Sequence, residues 1–382
     1  MLRRALLSAF TAGLLALPAV AQVTADRVIY RDRAQEGKVV TVEGEIKETA
    51  GSVQVIGPDK KLKATVSAAD LVRIDYGAVV GVDRTAQLAA ITVETTGDAA
   101  KAAAEYRKLI GSSAGAAANP KSKRYLEFRE LTWSAKLADA KVGDDFAIEG
   151  KKVAARLLAF AKANAASWEV WSTARMAARY LCELDDPAGA ADAMALLGGN
   201  AALTPELRHE ARLAEVGYLF RANKRADADA VLKALALDKD FPATGPLRER
   251  WTIFDEVAKA PPSPPERKET DPPAPQEETD ARVAKVKEAA AKIEALIAKA
   301  KDMPTRGAGY SALGELFVRH GLWREAMWAY LWVDVVYNQD RDEQVKAVCR
   351  LAQIFGVLKD KSGDGEKDRA ETFRDRLPRI RS

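Results

Sequence analysis

Histidine is nearly absent from this chain: His209 and His320 are the only two in 382 residues. Imidazole is the side chain most often used to move protons near neutral pH. Both histidines lie in helical stretches among charged neighbours, so they read as surface or capping residues rather than as acid–base catalysts. Cysteine is equally scarce. Cys182 and Cys349 stand far apart in apolar helical patterns and read as two buried free thiols. No cluster of Cys, His and carboxylates has the spacing of a zinc site, so no metal is expected. A Gly-rich phosphate loop, a Gly-x-Ser-x-Gly elbow and a Cys-x-x-Cys pair are also missing. Carboxylates are plentiful, but nothing singles out two of them as a glycosidase-like pair. These absences name no catalytic residue and no cofactor, and favour a binding protein over an enzyme. A strong charge of one sign is lacking too. Lys and Arg number 59 against 55 Asp and Glu, a formal charge of +4, which argues against nucleic acid or anionic lipid as the main partner.

What is present begins with a secretory pattern over residues 1–21. Arg3 and Arg4 precede an apolar run from Ala5 to Leu17, and Ala19-Val20-Ala21 supplies the small-x-small cleavage site. The run is shorter than the roughly 20 residues that cross a bilayer, and no later segment is apolar for long enough. The sequence therefore predicts an exported protein, periplasmic or extracellular, beginning near Gln22. No Cys follows the run to carry a lipid anchor, and loss of Arg3 and Arg4 brings the formal charge of +4 to about +2.

Residues 22–77 alternate with a period of two, in runs around Val28, Val42, Val53, Val66 and Ile74 separated by Gly37, Gly51 and Gly57-Pro58. Such alternation with β-branched residues marks about five short, half-buried strands, which together make a small barrel. The stretch Val42-Glu43-Gly44-Glu45-Ile46, followed by Val66-Ser67-Ala68-Ala69-Asp70-Leu71-Val72-Arg73-Ile74, resembles the SH3-like or Sm-like β-domains of bacterial envelope proteins. Ser67 stands where those domains usually have proline. Gly44 suits a strand bent at a barrel corner.

Beyond Gly77 the period becomes helical. Over 98–259, apolar and Ala residues recur three and four apart in about seven helices, punctuated by Asn119-Pro120, Asp186-Pro187, Thr204-Pro205 and Phe241-Pro242. Helical hairpins stacked side by side are expected, with a plain bundle as the alternative. Residues 260–278 carry seven prolines among charges, the composition of an extended, solvated spacer that is cut first by proteases. This divides the helical region into two parts expected to fold separately. In 279–382 a long helix from Asp280 to Lys301 comes first, with Met303-Pro304 expected to end it. Asp340 to Leu358 and Arg369 to Leu377 are helical, and Lys359 to Asp368 forms a charged loop.

Between these lies the clearest pattern in the chain. Tyr310, Leu313, Gly314, Phe317, Ala326, Tyr330 and Val333 fall where a tetratricopeptide repeat places its packing residues. The segment resembles such a repeat, and the resemblance implies small residues at Gly314 and Ala326 where two antiparallel helices touch. It also implies a groove lined by Ser311, Glu315, Val318 and Arg319 that receives a protein or peptide. Trp323, Trp328 and Trp332 crowd the second helix. Trp328 and Trp332, four apart, share a face that either packs on neighbouring helices or meets a partner. The fold class that results is mainly α, with a small N-terminal barrel and tetratricopeptide-like hairpins in two parts joined by the Pro-rich linker. The expected function is a non-enzymatic scaffold in the cell envelope. The alternatives are a carboxylate-based envelope hydrolase and a module that binds polysaccharide or peptidoglycan through exposed Trp.

Overall fold

The structure, a computed structural model, describes residues 25–35, 37–264, 275–362 and 367–381. The secretory pattern of 1–21, the centre of the Pro-rich stretch and the glycines of the C-terminal loop lie outside these residues.

Five antiparallel strands come first: β1 (Asp26–Asp32), β2 (Lys38–Glu48), β3 (Ser52–Ile56), β4 (Leu62–Ser67) and β5 (Leu71–Asp75), in the order β4-β3-β2-β1-β5. Their alternating residues sort by face, with Val28, Val53, Val55 and Ile74 fully buried. The long strand β2 serves both halves of the sheet. Asp26 to Asp32 pair with its first part up to Gly44, and β3 pairs from Glu45 onward. A β-carbon on Gly44 would stand 2.3 Å from the Ile56 carbonyl oxygen, so the switch between partners needs glycine.

Among the described residues fifteen α-helices follow: α1 (Arg84–Thr95), α2 (Ala99–Ser112), α3 (Ala114–Ala118), α4 (Pro120–Asp139), α5 (Gly143–Ala163), α6 (Glu169–Glu183), α7 (Pro187–Gly198), α8 (Pro205–Arg221), α9 (Arg225–Leu237), α10 (Pro246–Lys259), α11 (Gln276–Lys299), α12 (Met303–Arg319), α13 (Trp323–Val335), α14 (Arg341–Ser362) and α15 (Lys367–Arg381). The expected starts carry their capping bonds. Asn119, Asp186 and Thr204 each accept a backbone N–H of the first turn, with Pro120, Pro187 and Pro205 behind them. Met303-Pro304 opens α12 instead of ending the helix before it. The Asp302 carboxylate accepts from Thr305 N at 2.9 Å, and proline is tolerated in a first turn whose N–H groups have no helical partner. α11 starts at Gln276, inside the expected spacer, and the helical backbone of α14 runs to Ser362, past the point where a loop was expected.

Successive helices pack as neighbours, most closely in the pairs α5 with α6, α6 with α7, α7 with α8, α12 with α13 and α14 with α15. The helices before and after the Pro-rich stretch share one apolar core rather than each part closing on its own: α10 packs on α11 and α12, α8 on α12, and α6 on α14. The sheet is docked on the same body. Glu48 of β2 accepts from Tyr76 and from Arg124 of α4, and Arg124 also pairs with Glu169 at 3.0 Å. No helix among the described residues is long and apolar enough to cross a membrane.

Candidate functional site

The hairpin of α12 and α13 brings the expected packing residues together. Ala326, Leu316 and Val333 are fully buried, and Gly314 lies under the Tyr330 ring. Its outer surface decides what the hairpin can do.

The face of α12 expected to line a groove is occupied from within the chain. Glu315 is buried at 4 % exposure, and both its oxygens are taken by Arg350 of α14, at 2.9 and 2.8 Å. Burial alone would raise the Glu315 carboxyl, but Arg350 and Arg221 hold it below the usual carboxylate range. Val318 and Arg319 are half-buried, with the Arg319 guanidinium near the Phe220 ring of α8, and the Ser311 hydroxyl is enclosed without a partner. These four residues therefore do not form an open groove: Arg350 of α14 covers Glu315, and α8 lies against Arg319.

Further charged contacts fix the C-terminal hairpin in that position. Arg175 of α6 pairs with Asp342 at 2.7 Å, and Arg221 of α8 donates to the Lys346 carbonyl at 3.1 Å. Arg381 of α15 pairs with Glu183 at 2.6 Å and donates to the Lys141 carbonyl at 3.1 Å. Between α6, α8, α10, α12 and α14 a cavity of about 40 Å³ remains, lined among others by Trp171, Arg175, Gly217, Arg250 and Asp340. It has room for a few waters at most. Buried carboxylates elsewhere are each held by arginine: Glu94 by Arg129, Asp139 by Arg179, Asp334 by Arg376. Both cysteines are unpaired, Cys182 buried and Cys349 half-buried, and burial raises both thiols. Among the described residues no group of three His, Cys, Asp or Glu is placed to hold a metal ion.

Both histidines are buried rather than on the surface, and His320 takes a capping position, as the C-cap of α12. His209 Nε2 meets Asp238 at 2.9 Å with its ring edge-on to Phe241, and His320 Nε2 lies 3.3 Å from the Pro261 carbonyl. Helix periodicity could not reveal this, because loops distant in sequence cover them.

The tryptophans divide. Trp323 is half-buried against the core. Trp328 and Trp332 are not packed away: they are 62 % and 45 % exposed, and Val335 on the same face is 67 % exposed. Residues 328, 332 and 335 follow the i, i+4, i+7 spacing of a helical stripe, here turned to solvent. Around Trp332 stands a set of near-parallel rings. Tyr310 stacks on Trp332 at 5.9 Å and 18° between ring planes, and on Tyr337 at 5.4 Å and 14°. Gly307 permits this, because a β-carbon there would come within 3.0 Å of the Tyr337 carbonyl oxygen. Tyr310, expected as a packing residue of the repeat, is half-buried and shares this ring set with the half-buried Tyr337, whose sequence signal was aromatic density near Trp332.

No protein-family model matches the chain, and no curated protein matches it in sequence.

Proposed function

We propose that this chain is an exported, non-enzymatic scaffold of the cell envelope, with tetratricopeptide-like hairpins behind a small SH3-like or Sm-like β-domain, and that it holds a protein partner on the outer face of α13. The observation that carries this reading is the solvent-facing stripe of Trp328, Trp332 and Val335. Exposed apolar patches of this kind mark interaction sites, and Trp is enriched where interfaces gain most of their energy. The inner face of α12 offers no comparable opening, since Arg350 of α14 and helix α8 lie against it. Support for the family likeness comes from the β4-β3-β2-β1-β5 order, with its change of partner strand at Gly44, and from the contact of Gly314 with Tyr330. Export rests on the sequence of residues 1–21, with cleavage near Ala21.

A partner helix or strand laid along α13 would bury two indole faces at once, at about 25 cal/mol per Å² of apolar surface removed from water. The test is in-cell crosslinking and capture with the wild-type chain beside W328S/W332S. Loss of a defined set of envelope proteins in the double variant is the expected result. Capture of the same set by both chains removes the reading.

One observation favours a second reading, a glycan ligand: the ring set of Tyr310, Trp332 and Tyr337 can offer stacking faces to sugar C–H groups. Titration with soluble peptidoglycan fragments, followed by tryptophan fluorescence, separates the two. A saturable change that disappears in Y310S selects the glycan.

A further inference from the structure

Arg225, Arg282, Arg319 and His320 come from three different helices and gather around Pro261: Arg225 and Arg282 line one cavity with it, and His320, next to Arg319, lies with Nε2 3.3 Å from its carbonyl. Arg225 opens α9, Arg282 lies in α11, and Arg319 and His320 end α12. Their polar atoms are short of partners. Arg282 Nε, Arg319 Nη2 and His320 Nδ1 are all buried with nothing to bond to, and Arg225 and Arg282 make no ion pair among the described residues. Three nearby acids are paired with other cations: Glu315 with Arg350 at 2.8 Å, Asp229 with Lys233 at 2.6 Å, and Glu288 with Lys292 at 2.9 Å. The α9 terminus adds to the positive field. Its N-cap, Lys224, gives no side-chain oxygen to the first-turn N–H groups, and such a terminus favours anions.

Buried polar atoms without hydrogen-bond partners are costly, and guanidiniums are the groups best shaped to bind oxyanions through paired N–H donors. Beside the cluster lies a cavity of about 690 Å³, lined by Arg225, Arg282, Lys259, Lys285 and Pro261 to Pro264, with Glu256 and Glu278 also on its walls. That volume lies within the range of small-molecule sites and far exceeds one phosphate. We propose that Arg225, Arg282, Arg319 and His320 form a binding site for a phosphate- or sulfate-type oxyanion, with the cavity taking the body of the molecule that bears it. In the neutral ring His320 Nε2–H donates to the Pro261 carbonyl, which leaves Nδ1 as a bare lone pair. Burial first, and then the charges of Arg319, Arg282 and Arg225, hold this imidazole below its ordinary range, against the pull of that carbonyl. A bound oxyanion supplies the missing negative charge and draws a proton onto Nδ1.

Because the chain has only two histidines, NMR of the imidazole rings in the full-length protein reads the site directly, with His209 as internal control. Inorganic phosphate and glucose 6-phosphate are titrated against sodium chloride of equal ionic strength. A saturable change at His320 alone, with its titration moved to higher pH, is expected. R225Q and R282Q, checked for folding by circular dichroism, each weaken binding by about tenfold or more, while K285Q at the exposed cavity wall retains it. Tighter binding of glucose 6-phosphate assigns the oxyanion to a larger ligand, and equal binding assigns it to the free ion; both support the site. No response at His320, or the same response in chloride or in R225Q and R282Q, overturns it.

Discussion

Two ring atoms of Tyr330, Cε2 and Cζ, lie 2.7 Å from the position a β-carbon would take on Gly314. The contact joins the two helices of the α12–α13 hairpin, and Tyr330 is fully buried, so the ring has nowhere to retreat. Gly314→Ala is therefore expected to destabilise the chain by about 1–3 kcal/mol through overpacking, despite the better helix propensity of alanine. Urea unfolding of the two chains side by side measures it. A neutral or stabilising result would mean that the helices do not meet there.

Gly217 gives the opposite case. It lies in the interior of α8 with nothing within 4 Å of a built β-carbon, on the wall of the small cavity between α6 and α14. Gly217→Ala should stabilise the protein by about 1 kcal/mol, the full difference in helix propensity. A loss of stability would show that neighbouring side chains close over this position.

The bond between Glu315 and Arg350 holds α14 across the inner face of α12. Replacing Arg350 by Met leaves a buried carboxylate without its partner, a change that costs about 3–5 kcal/mol. The pH response has a definite sign. The folded Glu315 carboxyl is depressed, so its stabilisation is present above the unfolded carboxylate pKa of about 4.3 and is lost as pH falls through the lower folded value. Glu315→Gln should remove that part of the acid-side loss in a series of melts from neutral to acid pH. An unchanged acid limb in E315Q would contradict the pairing.

Trp332 and Trp328 are neighbours on one stripe but should respond differently to truncation. Trp332 stacks with Tyr310, and W332A should lose about 0.5–1.5 kcal/mol of ring–ring interaction. Trp328, more exposed and without a stacking partner among the described residues, should change stability by no more than about 0.5 kcal/mol when replaced by alanine. Thermal melts of the single variants decide this. Equal costs would mean that the rings around Tyr310 do not act as a unit.

Residues whose role is set within one or two helices were legible in the sequence. Gly314, Ala326 and Tyr330 lie within a single hairpin, and the caps at Asn119, Asp186 and Thr204 depend only on the turn that follows each. The alternation around Val28, Val53 and Ile74 likewise announced the sheet. Helix α1 escaped notice because its Ile91-Thr92-Val93 core is β-branched, and α10 because Phe241-Pro242 before it read as punctuation only. The covered groove could not be foreseen. Arg350 meets Glu315 across 35 residues, Arg175 meets Asp342 across 167, and Arg381 meets Glu183 across 198. Each partner alone reads as an ordinary solvated charge on a helix. For the same reason the sequence offered two partner surfaces, Ser311, Glu315, Val318 and Arg319 on α12 and the Trp face of α13, and could not tell that only the second is open.

The shared core has a consequence for the Pro-rich stretch. Residues Ile253 and Phe254 of α10, Ile293 and Ile297 of α11 and Leu316 of α12 are all buried in one cluster, and α14 is held to α6 and α8 by Arg175 and Arg221. Burying one such side chain contributes about 1.5–3 kcal/mol, so the combined contacts far exceed what a covalent link through 265–274 adds. A specific protease site placed within 265–274 and cleaved to completion should therefore leave two fragments that elute together at the size of the intact chain and separate only in denaturant. The cut chain should unfold in one transition, at a midpoint that now depends on protein concentration, since two pieces must reassemble. Fragments that separate in native buffer, each keeping its helical circular dichroism, would instead show two autonomous helical bodies and would refute the shared core.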